Sequence, residues 1–481
     1  MNTFPMRMFG RRKILTDYDY IDESNLREAV GAAGAIHEQN RREICYLFDY
    51  YRGDQPILYR QKIVRPDIIH NTVVNRAMEI VAFKTSYLLS EPIVYISRKA
   101  GKEKTDDVDD ITSNVNKLND YMYLAGKQAT DKELADDFSI CGVSYRFVYP
   151  NPASDGAPFY IATLNPERTF VAYRNSSVKD SEPVFAVTYV EKKNVGRVYD
   201  VYTADWHYIM SGREISRERN EIGMIPIIEY VNNEFRIGAF ESVLGLLDGA
   251  SVLESNRIEA TGQNVQSLTW FNDVDLDDEQ KEALKTKPAA FVMTKSIKNA
   301  TNPNIENIVL NFQQADQQVL TNDIYKTILN IAGMPSTGDG NTSDSSNNGS
   351  TIVRNGWQHA EARAKDTAML WERSDRRFLA AVLKICNVLD GFDLKPEDVI
   401  GKFTRRNYED IMTKSTVLTT LLGANKVHPK TAYQVAGLVP DPDEAYKIGM
   451  EWYRQQQKEA EQIKQENQVP TEQTAQGGDV A

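Results

Sequence analysis

The sequence predicts an α+β fold in which a strand-rich first half gives way to long helices. Between Tyr145 and Tyr208, short runs rich in Val, Ile, Tyr and Phe alternate with turn residues, the pattern of an antiparallel sheet. From Ile237 onward, apolar residues recur at steps of three and four, the period of a helix. A proline-free stretch from about Thr351 to Asp390 keeps that period throughout. At 481 residues the chain exceeds one compact core, and roughly two to four domains are expected.

The first helix is predicted from Glu38 to Tyr51, with Ile44, Leu47, Phe48 and Tyr51 on its apolar face and Gly53 and Pro56 ending it. A second runs through Val73, Ala77, Ile80, Val81, Lys84 and Leu88 and stops near Glu91-Pro92, because a residue before proline avoids the α region. A strand, Ile93 to Ser97, follows. The β-rich runs are Tyr145–Tyr149, Phe159–Leu164, Thr169–Tyr173, Val184–Tyr189, Val198–Tyr202 and His207–Met210, and Ile225–Tyr230 comes after them.

A long helix is expected from about Ile237 to Leu268. Its four glycines, Gly238, Gly245, Gly249 and Gly262, each cost about 1 kcal/mol relative to alanine, which implies a close helix neighbour or a bend. A small α/β insert follows, with a strand around Ala289 to Thr294. A second helix, Asp316 to Ala332, carries Leu320, Ile324, Ile328 and Ile331 as its core positions. Residues Ser336 to Ser350 contain only Ser, Thr, Gly, Asn and Asp, so they bury nothing and read as a mobile loop. The helix from Thr351 to Asp390 packs through Trp357, Trp371 and Phe378 and is too long to be covered by one small core. Shorter helices are expected at Tyr408–Leu422, Pro429–Ala436 and Pro442–Gln465, before a Gln-rich disordered tail.

Chemistry is sparse. No Gly-Lys-Ser or Gly-Lys-Thr phosphate loop, HExxH or GxSxG occurs, and the three cysteines Cys45, Cys141 and Cys386 form no CxxC. No apolar run approaches the ~20 residues of a membrane helix, so no membrane contact is expected. With 56 basic and 68 acidic residues the net charge is −12, which argues against a surface that grips nucleic acid tightly. Asp275, Asp277, Asp278 and Glu279 read either as a helix N-terminus or as carboxylates for a divalent ion. Lys281, Lys285, Lys287, Lys295 and Lys298 form the clearest basic patch, as easily a solvated face as a phosphate contact.

Five segments stand out beside the order helix, α/β insert, helix, polar loop, long helix: Tyr50 to Leu58 (YYRGDQPIL), Arg65 to Asp67, Asn75 to Pro92, the pair Gly142 and Tyr145, and Ile331 to Pro335 (IAGMP). In these, from about residue 40 to 455, the chain resembles the portal proteins of tailed double-stranded DNA phages, particularly those of phages of Gram-positive bacteria. The resemblance implies a non-enzymatic homo-oligomer, a ring of about twelve subunits at one capsid vertex, without cofactor or metal. The wing would be residues 1–235 plus the long helix at 351–395, the stem 236–268 and 316–335, the clip 269–315, the tunnel loop 336–350 and the crown 396–465, with a tail at 466–481. DNA-facing residues would then be Thr337, Asp339, Asn341, Ser343, Asp344, Asn347, Asn348 and Ser350.

The implied partners are double-stranded DNA in transit, the terminase large subunit, scaffolding and major capsid proteins, and a head-completion adaptor. The implied places are the virion and, during assembly, the host cytoplasm. Two other readings stand beside this one: a metal-dependent nuclease built on Asp275 to Glu279, and a monomeric scaffold whose long helix binds partner helices.

Overall fold

The computed structural model describes residues 10–63, 68–98, 106–152, 156–265, 268–272, 274, 277, 279, 282, 291–294, 304–308, 314–335, 356–391, 394–405, 408–424, 426–439 and 442–466. Helix and strand mix as the sequence predicts, and the strands gather in the first half.

Helix α1 (Leu26–Arg52) begins well before the expected Glu38, because Leu26, Ala29, Val30 and Ala33 extend its buried face. It ends at Gly53, whose left-handed φ of 102° lets its N–H close onto the Tyr50 carbonyl. Helix α2 (Arg76–Leu88) is capped by the Asn75 side chain, which accepts from the Met78 N–H. Strand β2 (Val94–Ser97) follows, then two helices without a counterpart in the sequence expectations, α3 (Asp106–Leu124) and α4 (Lys127–Cys141).

The single antiparallel sheet expected from residues 145 to 210 is two sheets. Strand β3 (Val143–Pro150) lies between β4 (Phe159–Leu164) and β10 (Ile227–Val231). The other sheet joins β1 (Ile14–Thr16), β5 (Thr169–Arg174), β6 (Pro183–Lys192), β7 (Gly196–Tyr202), β8 (Trp206–Ser211) and β9 (Glu214–Arg219) in that order. It is not purely antiparallel, since β1 runs parallel to β5 with Ile14 opposite Ala172. The split follows the cores: Phe170, Ala172, Phe185, Val187 and Val201 face α1, while Val148, Phe159, Ile161 and Ile228 face α3 and α4.

Helix α5 spans Leu244–Val265, after a short 3-10 turn at Glu241–Val243. The expected start at Ile237 is therefore too early, and Leu268 belongs to a strand. That strand, β11 (Leu268–Asn272), pairs in parallel with β12 (Phe291–Thr294) and antiparallel with β13 (Asn304–Ile308), giving the insert a three-stranded sheet. Helix α6 (Gln314–Ala332) leads back.

The long helix α7 (Trp357–Asp390) starts after Gly356, whose φ is +79°, and its 34 residues span about 51 Å. It closes a core with α3, α4, β3, β4 and β10 through Trp371, Phe378, Leu379 and Val382. Strand β14 (Val399–Lys402) lies beyond the expected boundary at residue 396, yet it is hydrogen-bonded to β2. Helices α8 (Tyr408–Leu422), α9 (Pro429–Ala436) and α10 (Pro442–Glu466) complete the chain. Among the described residues, no helix is long and apolar enough to cross a membrane.

Candidate functional site

The helix pair α5 and α6 carries exposed apolar residues, and a buried root fixes it. At the root, the buried Arg11 guanidinium donates to the Cys141 carbonyl at 2.9 Å and to Glu241 at 2.7 Å, and its Nε lies 3.0 Å from Glu43. The other Glu241 oxygen accepts from the Gly238 N–H at 2.8 Å. Backbones cross here with no room for side chains. A Cβ at Gly142, whose φ is +88°, would sit 2.0 Å from the Arg236 carbonyl oxygen, and one at Gly238 would sit 2.3 Å from that of Ile140. Gly142 is thus constrained twice, by conformation and by contact.

Arg236 has the positive φ of 56° that this crossing demands of a non-glycine residue. Its guanidinium is clamped to Glu229 at 2.7 Å, and Tyr173 donates to the same carboxylate at 2.9 Å. Burial works to raise the Glu229 pKa, but Arg236 outweighs it and holds the carboxyl below its ordinary value.

Along α5, Ser251, Ser255 and Glu259 recur every fourth residue and are buried. The serine hydroxyls accept from the backbone N–H groups of Val74 at 3.2 Å and Thr72 at 3.0 Å. Glu259 accepts from His70 N–H at 3.2 Å and from Lys62 at 2.6 Å. An extended segment that has no partner strand thereby satisfies its donors on a helix face. Tyr50 adds a bond to Asp248 at 2.9 Å.

The other faces of the pair remain open. Of the four core positions expected on α6, Ile328 is buried, Ile324 is half-buried, and Leu320 and Ile331 are 49% and 46% exposed. The steps of four and three carry Leu320 and Ile331 off the face that buries Ile328, Leu329 and Ala332, so they are not core within one chain. Val319 beside them, and Val252 and Ile258 on α5, are also exposed. Of the close neighbour or bend expected from the α5 glycines, no neighbour lies at Gly245 or Gly249 among the described residues, where a Cβ would meet nothing within 4 Å.

Helix α7 is held by a buried charge network that the sequence did not reveal. Arg146 on β3 is fully buried, bonded to Asp131 and 3.5 Å from Asp375, while Lys127 reaches Asp131 at 2.6 Å. Tyr95 and Tyr230 donate to the two Asp375 oxygens at 2.7 and 3.0 Å. Trp371 and Phe378 lie buried beside it, within reach of the Arg146 cation. Trp357, half-buried, packs near Phe83 and Tyr87 at the start of the helix.

The Cys141 thiol is buried and donates to the Val143 carbonyl, and burial pushes its pKa up. Among the described residues, no group of three metal-ligating side chains converges. Asp277 and Glu279 are exposed, whereas Asp275 and Asp278 lie outside the described residues. So do the basic-patch residues Lys281, Lys285, Lys287, Lys295 and Lys298, and the loop residues Thr337, Asp339, Asn341, Ser343, Asp344, Asn347, Asn348 and Ser350.

Residues 34–472 match the family model described as "Phage portal protein, SPP1 Gp6-like". No curated protein matches the chain. Among solved structures it is similar, at 14% identity, to chains in "Virion of native gene transfer agent (GTA) particle" (TM-score 0.41) and "Neck of empty GTA particle computed with C6 symmetry" (TM-score 0.38). Each alignment covers 76% of this chain and 90% of the other.

Proposed function

This chain belongs to the phage portal protein family, and from that premise we propose that its copies close into a ring of about twelve subunits around a channel for double-stranded DNA. The observation that carries this reading is the uncovered apolar surface on α5 and α6, where Val252, Ile258, Val319, Leu320 and Ile331 are exposed and Gly245 and Gly249 leave open space. Such a surface is buried when one flank of each copy meets the other flank of the next, and that heterologous contact closes into a ring.

The charge of the chain fits passage better than grip. Strong cationic contacts to a duplex release counterions and hold it, whereas a chain of net charge −12 repels it on balance. The polar loop from 336 to 350 is assigned to the channel lining and the lysines between 281 and 298 to the clip. The ring serves packaging and ejection at the capsid vertex of the virion, after assembly in the host cytoplasm. Its partners are scaffolding and major capsid proteins, then the terminase large subunit, then a head-completion adaptor.

The purified full chain, examined by mass photometry and negative-stain imaging, should give annular particles near 650 kDa, about twelve times its 54.5 kDa. A stable 54.5 kDa species at high protein concentration and near-physiological salt, without rings, refutes the reading.

A further inference from the structure

Where α7 begins, a cleft of about 650 Å³ opens between α2, α7, the segment after β14 and the three C-terminal helices. That volume lies within the range of small-ligand sites. Tyr87, Trp357 and Phe403 give it aromatic walls, with the Tyr87 and Trp357 rings 5.7 Å apart.

Its charge runs against that of the chain. Lys365, Lys402 and Arg405 line it, and among the described lining residues Glu361 is the one acidic residue. Glu361 is already occupied, since Arg405 Nε donates to it at 3.1 Å, Tyr87 donates at 2.9 Å and Lys365 lies at 3.7 Å. The carboxylate therefore organises Arg405 and Lys365, and Lys402 adds a further positive charge among the described lining residues. Arg405 Nη1 is buried without a hydrogen-bond partner, an orphan donor of the kind that folded proteins rarely keep.

We propose that this cleft binds a phosphate group, with the phosphodiester backbone of duplex DNA as the natural source. Lysines supply point charges, the Arg405 fork is held in place by Glu361, and the aromatic walls lower the local dielectric in which those charges act. Only the naming of DNA as the source rests on the portal reading; binding of free phosphate stands or falls without it.

The test uses the full chain with two probes, inorganic phosphate and a fluorescently labelled 20-base-pair duplex. Lys365→Ala/Lys402→Ala removes two exposed or half-buried cations without touching the core, and Lys192→Ala, on the exposed end of a distant strand, is the control. The double variant should bind about tenfold more weakly, with a log K against log salt slope shallower by about two, roughly one per lysine. Lys365→Arg/Lys402→Arg should restore binding, which guards against a folding defect.

Loss of both probes in the alanine variant supports the proposal with DNA as source. Loss of phosphate binding alone supports a site for small phosphate ligands. Equal binding of both probes by wild type, the double variant and the control overturns the proposal, as does no binding of either probe by wild type. Oligomer mass, read on the same samples, reports separately on the ring.

Discussion

Arg146 and Asp375 face each other across 3.5 Å, one on the central strand of a three-stranded sheet and the other on the long helix, with the Arg146 side chain wholly out of solvent and that of Asp375 6% exposed. Removing one partner strands a buried charge, which costs more than the pair contributes. Asp375→Ala should lower unfolding stability by about 3–5 kcal/mol, seen as an earlier urea midpoint by circular dichroism. Tyr95→Phe, which deletes one bond to Asp375, should cost about 1.5–3 kcal/mol. A midpoint unchanged in Asp375→Ala would show that the network does not hold α7.

Acid should weaken the six-stranded sheet through His37. Burial drives its pKa down to about 4, where it stacks 4.8 Å from Phe170. The unfolded chain takes up that proton near 6.5, so between those values the unfolded state binds more protons and stability falls as pH drops from about 7 to 4. The full effect is at most about 3 kcal/mol. His37→Phe keeps the stack and removes the titration, so its melting temperature should fall less than that of wild type between pH 7.5 and 4.5. Parallel profiles would assign the acid sensitivity elsewhere.

Asp137 should act with the opposite sign. Burial, reinforced by Asp136, Glu133 and Glu167, raises its pKa to about 7. The folded chain then holds a proton that the unfolded chain releases near 4, and stability is lost as pH rises through 7. Asp137→Asn should stabilise the protein at pH 8 and leave it unchanged at pH 4. Equal melting of variant and wild type at pH 8 would contradict this.

The backbone crossing at the root of α5 separates two glycines of similar backbone. Gly212 has φ +56° and open space where a methyl group would go, whereas Gly142 has φ +88° and the Arg236 oxygen in the way. Gly212→Ala should cost about 1 kcal/mol, the left-handed penalty alone. Gly142→Ala should cost several times more or leave the protein insoluble. Similar soluble yields and melting points for both would mean that the root yields easily.

Leu320→Glu addresses the uncovered face of α6. Because Leu320 is 49% exposed in the chain, the single subunit should fold and melt as before. Ring-sized particles should be lost from the mass distribution. Intact rings would move the subunit contact away from this face.

The strands at Phe159–Leu164 and Thr169–Arg174 were legible because their signal is local, runs of Val, Ile, Phe and Tyr between turn residues. Helix α4 was not, because it buries Lys127 and Asp131, and a charged residue that is satisfied across 15 residues by Arg146 looks like surface in a sequence. The early start assigned to α5 has a similar origin. Ile237 and Phe240 continue the helical period, but their segment is spent on the root around Gly142. Ser251, Ser255 and Glu259 did carry a readable signal, small or polar groups at every fourth position, whose meaning depended on the segment they face.

The bond between Tyr95 and Asp375 also sets a timetable, since 280 positions separate its ends. A ribosome adding about 5–20 residues per second needs roughly 15–60 s to deliver the second after the first. During that interval Leu134, Phe138, Val148 and Phe159 have no Trp371 or Phe378 to lie against. The nascent amino-terminal half therefore leaves the exit tunnel with sticky surface on show, and chaperone occupancy on translating ribosomes should persist until α7 emerges.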